Sequence, residues 1–317
     1  MPTRAGSRGG AASGSGAEVA VRIGVNPIGW TNDDLLELGD NTPLEVCLAE
    51  ARAAGYAGIE LGRKFPRRAG ELRPILARHG LVLVSGWYGA ELRRRSAKEE
   101  LAAVEDHLTL LAEMGSPVMV FAETSDSIQG ARDVPLSRRP RLGEAEWRPF
   151  GEALTEVAER LGAHGVRLAY HPHMGTVVET AEEIDRLMAE TGEAVGLLLD
   201  TGHLTYAGAD VAAVARRHAG RIVHVHCKDV RPGVLVEARR RDRSFLDAVV
   251  AGVFTVPGDG SVDYPTLLGI LKGAGYAGWL VVEAEQDPAV AHPLTYARMG
   301  HDYLRRITGV RPFNLSI

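Results

Sequence analysis

Cysteine is scarce: Cys47 and Cys227 are the only two in 317 residues, far apart and without CxxC spacing. A disulfide framework is therefore excluded, and a reducing compartment, the cytoplasm, is the expected location. Positive charge is not in excess either. Lys and Arg number 36 against 41 Asp and Glu, a formal charge of −5, which gives no general attraction for nucleic acid or anionic membranes despite local patches such as Arg239-Arg240-Arg241. No apolar run approaches the length of a membrane span, and the Gly-, Ser- and Ala-rich residues 1–20 lack the apolar core of a secretion signal. That segment is expected to be a disordered tail. No Gly-x-Gly-x-x-Gly follows the first strand, so the dinucleotide-binding reading lacks its usual fingerprint.

What is present is an ordinary globular composition, 45% hydrophobic and 24% charged, long enough for one barrel-sized domain over residues 21–317. Order is expected from Val21, where Val-Arg-Ile-Gly-Val-Asn reads as a strand, and Thr42-Pro43 opens a helix with Thr42 as cap and Pro43 at the first helical position. The same grammar then repeats: a helical segment, a glycine, a short strand rich in Val, Ile or Leu. Gly55, Gly80, Gly115, Gly165, Gly192, Gly220 and Gly275 mark the joints, each at a place where a left-handed helix cap is expected. Seven joints and an initial strand predict a parallel (β/α)8 barrel, with a doubly wound open sheet as the alternative. The connections Thr124 to Gly143 and Val230 to Asp263 are longer than usual and leave carboxyl ends of strands, the face where barrel enzymes build their sites. The second carries an apolar stripe, Phe245, Leu246, Val249 and Val250, that packs over the rim or touches a ligand.

Chemistry collects at those carboxyl ends. Strand five ends His171-Pro-His173 with Glu179 just beyond, strand six Asp200-Thr-Gly-His203, strand seven His224-Val-His226-Cys-Lys228-Asp229, and strand eight Glu283-Ala-Glu285. Strand alternation puts His224, His226 and Lys228 on one face and Cys227 on the other, toward the helices. Nitrogen and oxygen ligands without thiolate suit Mn²⁺, Co²⁺, Fe²⁺, Mg²⁺ or Zn²⁺. Each residue also has a purely structural reading: Asp200 as a turn cap, Glu283 as a partner for Lys228, Glu179 as the residue before a Thr180/Glu183 capping box.

The chain resembles the xylose-isomerase-like TIM-barrel superfamily and, more closely, its inosose dehydratase family. The resemblance rests on Gly24-Val-Asn-Pro-Ile-Gly-Trp-Thr-Asn-Asp-Asp34, Gly58-Ile-Glu-Leu-Gly-Arg-Lys-Phe-Pro66, Val84-Ser-Gly-Trp-Tyr88, Tyr170-His-Pro-His-Met-Gly-Thr176, Asp200-Thr-Gly-His203, His224-Val-His-Cys-Lys-Asp229 and Glu283. It implies a divalent metal, Mn²⁺ or Co²⁺, held by a strand-five acid, Asp200, His226 and Glu283. Superfamily epimerases carry a glutamate directly before the strand-five proline, where this chain has His171. Glu179 is then the expected acid, with His171 or His173 as the alternative ligand.

The implied reaction is dehydration of 2-keto-myo-inositol, a small polyol ketone, to a cyclic dione in myo-inositol catabolism, so the chain is expected to be a hydro-lyase. Glu283 is the expected base, and His171, His173 or His203 the acid. Lys64 and Lys228 are expected near substrate oxygens, and Trp30, Trp87 and Tyr88 on a pocket wall. Glutathione is a further cofactor that the resemblance allows, with no local feature to place it, and a homo-oligomer stays open. The enzymatic alternative is a sugar or inosose isomerase or epimerase. A metal-dependent phosphodiesterase is disfavoured by the acidic balance, and a non-catalytic binding module by the retained acid and base candidates.

Overall fold

Short apolar strands separated by amphipathic helices cannot pair as hairpins, so they pair in parallel with the helices outside. The computed structural model describes residues 21–310; the expected disordered tail, 1–20, lies outside them. Its strands are β1 (Arg22–Val25), β2 (Gly58–Leu61), β3 (Val82–Ala90), β4 (Val118–Glu123), β5 (Arg167–Tyr170), β6 (Val195–Asp200), β7 (Ile222–Cys227), β8 (Asp229–Val230), β9 (Phe254–Thr255) and β10 (Trp279–Val282). Eight of them close a barrel in the order β1-β10-β7-β6-β5-β4-β3-β2, every pair parallel, while β8 and β9 form a separate antiparallel pair. The open-sheet alternative is thereby set aside. No helix among the described residues is long and apolar enough to cross a membrane.

Register fixes which side chains point inward. Asp200 is level with His226, and His226 with Val281, so these share the interior face and Glu283, two residues on, continues it. Leu198, Val120 and Ala169 fill the interior below them, with Trp279, Val84 and Val281 nearby. The Trp279 ring is admitted because Gly58 has no side chain: a Cβ there would lie 2.8 Å from the ring and 2.6 Å from Val84. Val225, Cys227, Leu199 and Leu280 face the opposite way, into the sheet and helix layer.

Five of the seven joint glycines have positive φ, among them Gly55 at 107° and Gly115 at 70°. Gly192 serves another purpose, since its Cβ would meet Thr155 Cγ2 at 2.8 Å; nothing in the structure explains Gly220. The first outer helix begins one residue later than expected, at Leu44, with Pro43 as the uncapped boundary residue. Thr42 instead closes a turn, its N–H donating to Gly39 O at 2.9 Å.

The two long connections fold over the barrel mouth. Residues 231–253 contain the helices Pro232–Arg240 and Phe245–Val250, and Leu136 from the other connection joins Leu235, Phe245, Leu246, Val249 and Phe254 in a second apolar cluster. Arg132 to Asp247 at 2.9 Å and Leu136 N–H to Arg243 O at 3.3 Å tie the two together. Val250, expected in the buried stripe, is 41% exposed.

Candidate active site

Four strands bring four buried side chains to one point beneath that apolar layer. His171 extends β5, Asp200 ends β6, His226 lies near the end of β7, and Glu283 follows β10. One nitrogen or carboxylate oxygen from each lies within 4.8 Å of the other three. His226 Nδ1 is 2.8 Å from Glu283 Oε2 and 3.6 Å from Asp200 Oδ2, which is 3.6 Å from His171 Nε2. Yet Asp200 Oδ2, His226 Nδ1 and Glu283 Oε2 have no hydrogen-bond partner among the described residues. They meet instead as ion pairs when His226 carries a proton, and as four converging ligand atoms, with one from His171, when it does not. Two imidazoles and two carboxylates there fit a divalent cation, which would also offset the cost of burying the carboxylates.

The main chain prepares the ligand atoms. Asp200 caps the helix Thr201–Ala207, its Oδ1 accepting from His203 N at 2.8 Å, so the expected structural role and a ligand role fall to different oxygens of one carboxylate. His171 Nδ1 lies 2.9 Å from Pro172 O and His173 Nδ1 2.8 Å from Met174 O. A carbonyl only accepts, so each ring carries its proton on Nδ1 and presents an Nε2 lone pair. Burial pushes both rings down to about 3, so they are neutral. His226 is the exception: burial alone would lower it, but Glu283 and Glu60 outweigh burial and raise it well above the usual imidazole range. Glu283 is held well below the usual carboxylate range, because His226 and Lys228 overcome the effect of its burial.

Lys228 is fully buried beside this group. Its Nζ is 3.1 Å from Glu283 Oε2, 3.0 Å from His203 Nε2 and in contact with Glu285 Oε1, with the Phe254 ring 4.8 Å away. Gly202 makes room for its stem, since a Cβ there would lie 2.5 Å from Lys228 Cγ. His173, His203 and Glu285 also cluster, but the ammonium already supplies the positive charge among them.

Other expected site residues lie elsewhere. Glu179 does not reach the cluster: its carboxylate accepts from Gly175 N at 2.8 Å and faces Arg139 Nε at 3.3 Å, because Gly175 at φ 83° turns the chain out of the barrel. His171 takes the place expected of it. Glu179→Gln is therefore expected to leave metal affinity unchanged while lowering stability by about 1–3 kcal/mol through loss of a charged hydrogen bond, read by Mn²⁺ titration and urea unfolding. Lys64 Nζ is bound to the carbonyls of Gly39, Asp40 and Thr42. The Trp30 indole donates to Glu50 at 2.7 Å, and the Tyr88 hydroxyl donates to Glu100. Neither aromatic lines the cavity beside the cluster, whereas Trp87 does, its ring 5.6 Å from those of both His171 and His173.

The cavity also takes Asn26, Glu60, Asp33, Asp34 and Gln129, none of them foreseen. Glu60 carried a signal, a lone carboxylate in an apolar strand with the inward parity of Gly58; Gln129 comes from an aperiodic loop and carried none.

Comparison with known proteins agrees with this architecture. Residues 48–307 match the xylose isomerase-like TIM barrel family. The chain is 54% identical to the rhizopine catabolism protein MocC of Rhizobium meliloti, over 96% of this chain and 93% of that one. It is 45% identical to the inosose dehydratase of Geobacillus thermodenitrificans, over 92% and 99% respectively. Among solved structures, an L-ribulose 3-epimerase superposes with a TM-score of 0.64 at 20% identity, covering 92% of this chain and 95% of that one. The IolI protein with a bound zinc atom superposes at 0.63 and 15%, covering 93% and 100%; both show a shared fold.

Proposed function

The chain belongs to the inosose dehydratase family of xylose isomerase-like TIM barrels, and from that premise we propose that it dehydrates an inosose at a divalent metal held by His171, Asp200, His226 and Glu283. The observation that carries the metal reading is the convergence, within 4.8 Å, of one ligand atom from each of the buried residues His171, Asp200, His226 and Glu283, three of them without a hydrogen bond among the described residues. A bound divalent cation supplies Lewis acidity toward the substrate ketone and its neighbouring hydroxyl. Mn²⁺ and Co²⁺ are the metals to test first. Glutathione, implied by the resemblance, has no residue assigned to it here, and a cytoplasmic location agrees with a catabolic role.

The protonation geometry redistributes the acid and base roles. His171 and His173, expected as acids, present lone pairs rather than protons, His171 toward the metal ligand set and His173 toward the cavity. His173 lines the cavity and is the residue we assign to remove the carbon-bound proton next to the ketone; burial holds the ring down, so the role requires the negative charge developing on the substrate oxygens to raise its basicity. Glu283, expected as the base, is engaged by His226 Nδ1 at 2.8 Å and Lys228 Nζ at 3.1 Å, an oxygen committed to the cluster and so assigned here as a ligand. The departing hydroxyl needs a proton. Glu285 is placed to give it, because the residue lines the cavity and its Oε2 has no hydrogen-bond partner among the described residues while Oε1 is fixed by Lys228; burial raises this carboxyl. One proton taken by His173 and one given by Glu285 with the hydroxyl account for the water lost. Overhead, the Phe245 and Phe254 cluster keeps bulk water away from the imidazoles.

Epimerisation needs two opposed carboxylate bases, and the strand-five position is an imidazole while Glu179 is tied to Arg139; the isomerase reading is separated by its product. Incubating the purified protein with Mn²⁺ and 2-keto-myo-inositol separates the two. A conjugated product with ultraviolet absorbance, lost on chelation, is expected; an isomeric inosose alone would refute dehydration.

Metal affinity should depend on pH. With Glu283 and Glu60 holding a proton on His226 well above the usual range, metal must displace the proton on Nδ1. Affinity then rises with pH by about tenfold per unit while the ring is protonated, and levels off above its pKa. Mn²⁺ calorimetry in buffers of different ionisation enthalpy should read one proton released from the ring; pH-independent affinity would mean that His226 holds no second proton before the metal binds.

A further inference from the structure

Glu60 is a fully buried carboxylate on β2, across the barrel from the cluster's other acids, and the resemblance and comparisons give it no role. Its Oε1 takes three donors and its Oε2 one. Oε1 accepts from the Ser85 hydroxyl, from His224 Nε2 at 2.8 Å and from His226 Nε2 at 3.2 Å. Oε2 accepts from Asn26 Nδ2 at 2.7 Å. The Asn26 amide cannot flip, because its Oδ1 already accepts from Ile28 N at 2.9 Å, so Nδ2 must face Glu60. Burial would raise the Glu60 carboxyl, but His226 and His224 outweigh it and keep it ionised.

Glu60, His224 and His226 are close enough to suggest a second cation site. The hydrogen bonds argue otherwise, since Oε1 already receives three donors and has no lone pair left for a cation. An acceptor so fully used is an anchor. What it anchors is the His226 ring, whose Nε2 it engages and whose Nδ1 therefore points at Asp200 and Glu283.

We propose that Glu60 is a positioning residue for the metal centre: it holds the proton of His226 on Nε2 and aims the Nδ1 lone pair at the metal. This rests on the ligand set proposed above. A carboxylate behind a ligating imidazole fixes its tautomer and ring orientation and increases its basicity. Asn26 and Ser85 hold the carboxylate in place, and His224 occupies the same oxygen from one pleat deeper.

The test is Glu60→Gln, which keeps size and removes the charge. Calorimetry with Mn²⁺ alone on the full chain should show affinity lowered by about 10–100-fold, with Glu60→Asp recovering part of the loss and the unfolding midpoint reporting that each variant is folded. Unchanged Mn²⁺ affinity in folded Glu60→Gln would overturn the proposal, as would lost turnover at full metal affinity, which would make Glu60 a catalytic group. Should that variant not fold, the wild-type protein decides. Imidazole ¹⁵N shifts of the Zn²⁺-loaded protein should show His226 with metal on Nδ1 and a proton on Nε2, and the reverse pattern would contradict it. Failure of the ligand set is seen separately, as Mn²⁺ affinity unaffected by His226→Gln.

Discussion

Glu283→Gln should lower metal-dependent turnover by roughly 10³-fold, the scale at which a buried electrostatic contact to the reacting centre is lost. The amide has almost the same shape but no charge. Glu283 Oε2 is the atom nearest His226 Nδ1, at 2.8 Å, and it also meets Lys228 Nζ at 3.1 Å. The substitution thus removes one of only two anionic donors in the four-residue set and leaves two buried cations less compensated. Bound metal measured on the purified variant should fall together with product formation. The coupled loss distinguishes a ligand from a residue that acts only as a base, which would keep its metal and lose turnover alone. A variant with wild-type turnover and a full equivalent of metal would show that Glu283 does neither.

Lys228→Met should be the most destabilising single change at the site. The ammonium is fully buried and faces Glu283, Glu285 and, at 3.7 Å, Asp200. Methionine fills the stem's channel past Gly202 but removes the ammonium that Glu283 and Glu285 share, leaving Glu283 with His226 alone, at a cost of about 3–5 kcal/mol. Urea unfolding of the metal-free protein reads this directly. Glu285, already raised by burial and by Glu283, would rise further without its cationic partner, so turnover should fall as well. Saturating Mn²⁺ should restore part of the stability and little of the activity, since the metal offsets charge at Glu283 while Glu285 loses the contact that orients it. Wild-type stability in Lys228→Met would mean that the ammonium does not stabilise the folded site.

The barrel and most of the cluster were legible because strands impose a period of two. Once β5, β6, β7 and β10 are placed, parity alone turns His171, Asp200, His226 and Glu283 to one side. Residues beyond the strands were not legible in this way. Glu179 is eight residues past His171, and one left-handed glycine, Gly175, sends it to Arg139. Tyr88 and Trp87 are adjacent in the sequence, yet the irregular register between Ile59 and Leu61 of β2 against β3 helps decide that Trp87 enters the cavity while Tyr88 packs outside on His107 and Phe121. Motif words carried Lys64 and Trp30 forward as pocket residues, but a motif fixes residue identity and not the direction of a side chain. Glu60 shows the converse: its parity was readable, and its importance emerged only when Asn26, Ser85, His224 and His226 were seen to share its two oxygens.

The most direct measurement is an anomalous-difference map from crystals grown with Mn²⁺, collected on both sides of the manganese edge. The account predicts a single strong peak bounded by His171 Nε2, Asp200 Oδ2, His226 Nδ1 and Glu283 Oε2, with Lys228 still against Glu285. A peak among His173, His203 and Glu285, or one that recruits Glu179, would contradict it.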